Sequence, residues 1–365
     1  MVAIAPSNRL RRTPFSEGVE AAGVSAYTVY NRMLLPAAFE SLAADCAHLK
    51  DHVQVWDVSC ERQIAVQGQD AGKLLSLLTP RDLSKMADDQ CYYVPMVDTN
   101  GGMLNDPVAV KHSDDHYWIS IADSDLLLWV KGVAAGMGLN VSVTEPDVSP
   151  LAIQGPKSDD LLARVFGDAV RDIRFFRYKR LPFQGRDLVI ARSGYSKQGG
   201  FEIYVEGGDI GMDLWQALFA AGADLNVRAG GPNLIERVES GLLSYGNDMT
   251  AAHTPFDCGL GKFVNSDADY IGRVALEQAR AEGAKWRLCA VEIDGDPVPA
   301  CDRHWAITRD GARLGQVTSA TWSPDQNTNV AIGMVQADRF ATGADVEVKT
   351  QDGTRKARLR AEFWN

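Results

Sequence analysis

The sequence predicts an α+β protein. Residues 1–282 form a region of mixed helices and strands, holding one large domain or two intertwined ones, and residues 283–365 form a separate all-β domain. Three observations predict this. Helix-like and strand-like stretches are interleaved through the first region, helical patterning nearly vanishes beyond residue 283, and no solenoid or propeller repeat is visible. At 365 residues the chain is also too long for one compact core.

The elements follow in order. FESLAADCAHLKDHV sets Phe39, Leu42, Cys46, Leu49 and Val53 at helical spacing. RQIAVQG alternates as a short strand, with DAGKLLSLL behind it as a helix. YYVPMVDTNGGMLNDPVAVKH reads as a hairpin, because apolar runs flank Asn100-Gly101, a dipeptide that readily takes the positive φ of a tight turn. GPKSDD lacks the spacing of a phosphate loop, so Gly155-Pro156 reads as a strand-to-helix turn with Pro156 at the first helical position. GRDLVIARSGYSKQGGFEIYVEGG gives two strands around a Gly-rich loop, and LIERVESGLLSYG a helix closed by Gly246. Gly241 in that helix costs about 1 kcal/mol relative to Ala, which a close packing or ligand contact would explain. RLCAVEIDG, HWAITRDGARLGQVTSATWSP, VAIGMVQA and DVEVKTQDGTRKARLRAEFW are short alternating strands with Asp-Gly turns.

Composition narrows the function. A formal charge of -11 argues against a surface built for nucleic-acid phosphates or anionic lipids. No apolar run reaches the length of a membrane span, and MVAIAPSNRLRRTPF has arginines without an apolar segment after them, so a cytoplasmic protein without a secretory signal is expected. The six cysteines form no C-x-x-C pair, and His112 and His116 fall in a polar turn, so neither a disulfide framework nor a metal site is expected. Neither G-x-S-x-G nor a cysteine with histidine company appears, which gives hydrolase chemistry little support.

Asp106 in LNDPVAV stands at a strand mouth, where it either anchors a cationic or N–H-bearing ligand or caps its own turn. Glu202 alternates with Phe201 and Ile203 and faces away from the core. Arg237 and Glu239 lie on a helix face that is solvated by default. Tyr92, Tyr93, Tyr195 and Tyr204 cluster near loops, as stacking surfaces for a flat heterocycle, faces for a cation, or core tyrosines.

The same segments carry a resemblance. YYVPMVDTNGGMLNDPVAV, LAIQGP, ARSGYSKQGGFEIYV, RVESGLLSYGND, YIGRVAL and GQVTSATWSP resemble the aminomethyltransferase family, the glycine cleavage T-protein and its folate-dependent relatives, over nearly the whole chain. SAYTVYNRMLLP, VWDVSCERQ and CYYVP are similar to the branch that demethylates the sulfonium dimethylsulfoniopropionate. The resemblance implies a three-domain cloverleaf with two interleaved α+β domains and a C-terminal β-barrel-like domain. It implies tetrahydrofolate as methyl acceptor, with no metal, and a small-molecule methyl donor; a homodimer is compatible with it. Asp106 then lies beside N5 of tetrahydrofolate as the catalytic residue, Glu202 holds the pterin, and Arg237 and Tyr93 complete the folate pocket. Tyr195 and Tyr204 are expected to face the sulfonium, and Arg32 or Lys197 to meet the donor carboxylate.

Tyr195 stands where that branch has Trp and Arg32 where it has His, so the exact donor stays open. SKQGG in place of T-G-E-D-G turns the reading away from the aminomethyl-lipoyl substrate. The alternatives are an N-methyl or O-methyl donor, or a folate-binding protein without transferase activity, although the K-G-C-Y-x-G-Q run of that last class is missing.

Overall fold

The computed structural model describes residues 7–365, and the start of the basic leading stretch lies outside the described residues. Two sheets share the amino-terminal region, and the chain alternates between them. The larger has six strands in the order Tyr178–Phe183, Arg186–Ala191, Gly200–Glu206, Val148–Gln154, Val53–Asp57 and Val227–Gly230. Only the last pair is parallel. The smaller has five, in the order Ser142–Thr144, Gln63–Gln67, His116–Ser120, Val108–Ser113 and Gln90–Tyr93. The chain leaves the large sheet at Asp57, enters the small one at Gln63 and returns at Val148, which is how one sequence region builds two interleaved units.

Each sheet covers its outer face with helices. Ser158–Phe166 and Gly211–Ala221 pack Leu161, Leu162, Leu214 and Leu218 onto Ile153, Ile203 and Val205 of the large sheet. Ala71–Leu78 and Leu126–Gly136 pack on the small one. The inner faces meet each other through a cluster that includes Cys91, Trp118, Val189 and Tyr204. Strand period decides the partition: Phe201, Ile203 and Val205 enter the outer core, so Glu202 and Tyr204 are turned inward between the sheets.

The carboxyl-terminal strands Trp286–Ile293, Trp305–Arg309, Ala312–Ser323, Thr328–Gln336, Asp345–Thr350 and Gly353–Arg360 close into a six-stranded barrel. Alternate residues such as Val291, Ile293, Trp305, Ile307, Val346 and Val348 fill its interior. The fold class is therefore α+β with a closed β-barrel at the carboxyl end. Among the described residues no helix is long and apolar enough to cross a membrane.

Two local expectations are corrected. The helix begins at Ser158 and Pro156 sits in the turn before it. The helix expected to run to Gly246 spans only Leu234–Glu239. Asn233 opens it, its side chain accepting from the Ile235 and Glu236 amides at 2.9 and 3.3 Å. Gly241, at φ +65°, ends it: its amide donates to Val238 O at 3.3 Å and the Leu242 amide to Arg237 O at 2.9 Å, a paired C-terminal cap. The glycine is thus a terminator and not a helix-interior residue. A Cβ there would also lie 2.4 Å from the Phe363 ring. Gly241→Ala is expected to lower stability by at least about 1–2 kcal/mol, the ordinary cost of a left-handed backbone for an L-residue, measurable as a shifted denaturant midpoint.

Candidate active site

Asp106 occupies the short link between the strands Met103–Asn105 and Val108–Ser113. Tyr93 ends the strand beside it, paired with Val108, and the Val94 amide donates to Pro107 O at 2.8 Å. This register delivers the Tyr93 hydroxyl to Asp106 Oδ2 at 2.8 Å. The other oxygen, Oδ1, is buried with no hydrogen-bond partner. Burial pushes the carboxyl up to about 7, with Asp248 adding to it and the Tyr93 hydroxyl and the backbone amide opposing. The turn-capping alternative accounts for the amide contact and leaves Oδ1 unexplained.

Glu202 and Tyr204 come to the same place from the large sheet. Ser193 Oγ donates to Glu202 Oε2 at 2.5 Å, and the Tyr204 hydroxyl lies 3.4 Å from that oxygen. Burial raises the Glu202 carboxyl, against those two hydroxyl contacts. Tyr195 approaches from the loop between the two strands, its hydroxyl donating to Leu242 O at 3.0 Å and Leu243 O at 2.7 Å. Tyr195 and Asp106 are near enough that the carboxylate helps to raise the phenol, after burial.

Arg237 is buried and fully engaged. Its guanidinium donates to Asp248 Oδ2 at 2.9 Å, Ser319 Oγ at 2.6 Å and Leu242 O at 3.3 Å. Asp248 in turn accepts from Thr318, Ser319 and the Ser244 amide, so the ion pair ties the helix Leu234–Glu239 to the barrel strand Ala312–Ser323. Arg237 also lies close to Tyr195, so it braces the wall that Tyr195 belongs to.

Two further residues join the group that the sequence did not single out. The Glu61 carboxyl is pushed well above the ordinary glutamate range, first by burial and then by Glu202 and Asp106. The Tyr30 phenol is raised by burial and then by Glu61 and Asp106. Tyr30, Glu61, Tyr93, Asp106 and Tyr195 are enclosed by protein yet each keeps part of its surface open, as side chains lining an internal channel do. The only signal for Glu61 in the sequence is a lone acid wedged between the apolar runs VWDV and IAV.

Arg32 is not brought to this group. Asn31 and Arg32 form the hairpin turn between Ala26–Tyr30 and Met33–Ala38, at φ 48° and 65°. Asn31 points inward, its amide nitrogen donating to Cys60 O at 2.9 Å, while Arg32 points out, 70% exposed and 3.7 Å from Asp125. The expected contact of Arg32 with a donor carboxylate finds no geometric support. Lys197 is exposed too, and what it contributes inside is its backbone amide, donating to Glu236 Oε1 at 2.7 Å.

The arrangement suits a ligand that is rich in N–H donors, cationic, or both. Asp106 and Glu202 offer acceptors, Tyr93 and Phe263 pack ring to ring at 5.1 Å beside them, and the tyrosines supply flat faces.

Comparison with known proteins shows the family of the chain. Residues 15–268 match the GCVT N-terminal domain, and residues 287–363 the glycine cleavage T-protein C-terminal barrel domain. The dimethylsulfoniopropionate demethylase DmdA of Ruegeria pomeroyi is 64% identical over 364 residues, covering 100% of both chains. An aminomethyltransferase of Caldanaerobacter subterraneus is 28% identical, over 96% of this chain and 94% of its own length. The crystal structure of the glycine cleavage system aminomethyltransferase T from Bartonella henselae superposes with a TM-score of 0.86, at 23% identity over 98% of each chain, which shows a shared fold.

Proposed function

This chain belongs to the glycine cleavage T-protein family, and we propose that it is the family's tetrahydrofolate-dependent dimethylsulfoniopropionate demethylase. It moves one S-methyl group to N5 of tetrahydrofolate, giving 5-methyltetrahydrofolate and 3-methylmercaptopropionate. The full-length likeness to a demethylase of that name supports the choice of donor. The observation that carries the chemistry is Asp106: one oxygen is fixed by Tyr93, and the other is sealed with its bonding capacity unused.

The residues fit a transfer that needs alignment and little else. A sulfonium already has a neutral thioether as leaving group, so the S–C electron pair returns to sulfur without a protein acid. The new N–C bond forms at N5, and the proton that N5 gives up must go to a base. Asp106 supplies that base, and its carboxylate stabilises the positive charge that builds at N5 before the proton leaves. Glu202, held by Ser193, accepts from the pterin N–H groups, and Tyr93 keeps Asp106 in one orientation. Tyr195 presents its ring face toward the donor, where a cation without N–H groups is attracted by the ring quadrupole, while Tyr204, fully buried between the sheets, backs Glu202 through its hydroxyl.

The acid's position sets the pH response. Below about 7 Asp106 is protonated in the free protein and cannot accept the N5 proton; above it the carboxylate forms. kcat/KM is therefore expected to rise through a midpoint near 7 and to level off above it, and a flat profile from pH 6 to 8 would exclude Asp106 as the base. The donor is tested by incubating the protein with tetrahydrofolate and a panel of sulfonium, N-methyl and O-methyl compounds. 5-Methyltetrahydrofolate is expected from the sulfonium, and formation from an N-methyl or O-methyl compound alone would replace the donor in this reading.

A further inference from the structure

Two separate segments are pinned to a single backbone carbonyl beside the channel, and one of them also holds a third segment. Asn31 Nδ2 donates to Ala122 O at 3.2 Å and to Cys60 O at 2.9 Å. Asn105 Nδ2 donates to the same Ala122 O at 3.0 Å, and Asn105 Oδ1 accepts from the Ala122 amide at 3.0 Å. The residues that follow or precede these pins are Tyr30, Glu61 and Asp106, so the two asparagines hold an aromatic ring and two acids to one spot. Asn31 is 6% exposed and Asn105 is fully buried, which makes the pinning rigid.

Within that spot Glu61 is the group without an assignment. Among the described residues no hydrogen bond or ion pair reaches its carboxylate. The cation next to it in sequence, Arg62, is turned away and held by Glu145, with Nε to Oε1 at 2.9 Å, and Arg11 Nη1 adds a second contact to that Oε1 at 2.7 Å. Arg237 is committed to Asp248. An unpaired carboxylate deep in a protein is costly, and Glu202 and Asp106 nearby make it costlier still. Asp106 Oδ1, sealed and unpartnered in the same group, marks the acceptor side of the same site. The cost of that unpaired charge favours the protonated acid in the free protein, and a polar N–H ligand at Asp106 and Glu202 leaves Glu61 in that neutral form. A fixed positive charge draws Glu61 back to its carboxylate form, with the Tyr30 phenol close by.

We infer that Glu61 is the counter-ion of the methyl donor, the residue that makes this channel select a substrate with a permanent positive charge at the methyl-bearing atom. The inference rests on the demethylase reading above and deepens it by assigning the donor's charge to one side chain. It gives Glu61 no part in bond making. The carboxylate attracts the sulfonium to the place where its methyl group faces the acceptor, and it leaves a neutral thioether unattracted once the methyl group has gone, which favours product release.

The test compares dimethylsulfoniopropionate with 4-methylpentanoate, its isostere with an uncharged CH in place of the sulfonium sulfur and the carboxylate kept, in wild-type protein and in Glu61→Gln. The donor KM, the inhibition constant of the isostere and the dissociation constant of tetrahydrofolate are measured for each. In the wild type the sulfonium is expected to be preferred over the isostere. In Glu61→Gln the donor KM rises by about 30-fold or more, as for loss of one partner of an enclosed charge pair, while the isostere and tetrahydrofolate bind as before. Glu61→Asp, which keeps the charge, retains the preference and guards against a folding defect as the cause. A wild type that forms no 5-methyltetrahydrofolate from the sulfonium overturns the function and this inference together. Wild-type turnover with an unchanged preference in Glu61→Gln, or with equal losses for donor and isostere, overturns this inference alone.

Discussion

Asp106→Asn is expected to lower kcat for methyl transfer by about 10²–10³-fold, the range for removing one preorganised charge-stabilising group, with folding unharmed. The substitution is close to isosteric. The amide oxygen still accepts from the Tyr93 hydroxyl, so the link before Pro107 keeps its shape. What is lost is the negative charge and the proton acceptor. A carboxyl that burial has pushed up to about 7 is poorly solvated as an anion, so its neutral replacement leaves the folded state as stable as before or more so above that pH. The pH dependence of kcat/KM flattens in the same variant. If Asp106 were only a turn residue, kcat would be unchanged and the melting temperature would fall. Tyr93→Phe removes the hydroxyl that orients the carboxylate and is expected to show the same defect in weaker form.

The largest effect on stability is expected at the ion pair between the helix Leu234–Glu239 and the barrel. Arg237→Ala leaves Asp248 fully buried with its charge uncompensated, at a cost of about 3–5 kcal/mol, read from the denaturant midpoint. Asp248→Asn leaves the guanidinium with an amide for a partner and costs less, since Ser319 Oγ and Leu242 O still accept from it. The cycle formed by the two single variants and the double variant isolates the pair, and strong coupling is expected because the groups touch. A solvated arginine on an exposed helix face would lose no more than about 0.5 kcal/mol, so the magnitude alone separates the two descriptions. Activity falls as well, because Tyr195 is hydrogen-bonded to the carbonyls of Leu242 and Leu243, and Leu242 O is also held by Arg237.

What the sequence reveals and what it hides differ by the range of the interaction involved. Glu202 and Tyr204 are legible because a strand has a fixed period: with Phe201 and Ile203 in the core, the residues between them face the other way. Asp106 and Tyr93 are legible from the hairpin and from the resemblance. The barrel is legible from alternation and Asp-Gly turns. Glu61 is hidden because an acid between two short apolar runs reads as a solvated loop, and only the crossing of the chain from one sheet to the other buries it. Tyr30 is hidden because its hairpin turns on Asn31-Arg32, with no glycine to mark the positive φ. That same turn explains Arg32, whose place in sequence beside a telling motif says nothing about which way the turn projects it. The partners of Arg237 lie in a loop and in the barrel, at distances along the chain that no local pattern spans. The helix Leu126–Gly136 escapes for a different reason, since LLLWV is apolar on every face and shows no period.

The most direct measurement follows the methyl group itself. Dimethylsulfoniopropionate carrying a carbon-13 label in its S-methyl groups is incubated with tetrahydrofolate and the protein, and both products are quantified by mass spectrometry. The proposed reaction predicts labelled 5-methyltetrahydrofolate and 3-methylmercaptopropionate in equal amounts, with the label on N5. Unlabelled folate, or a labelled methyl group released in another form, would contradict it.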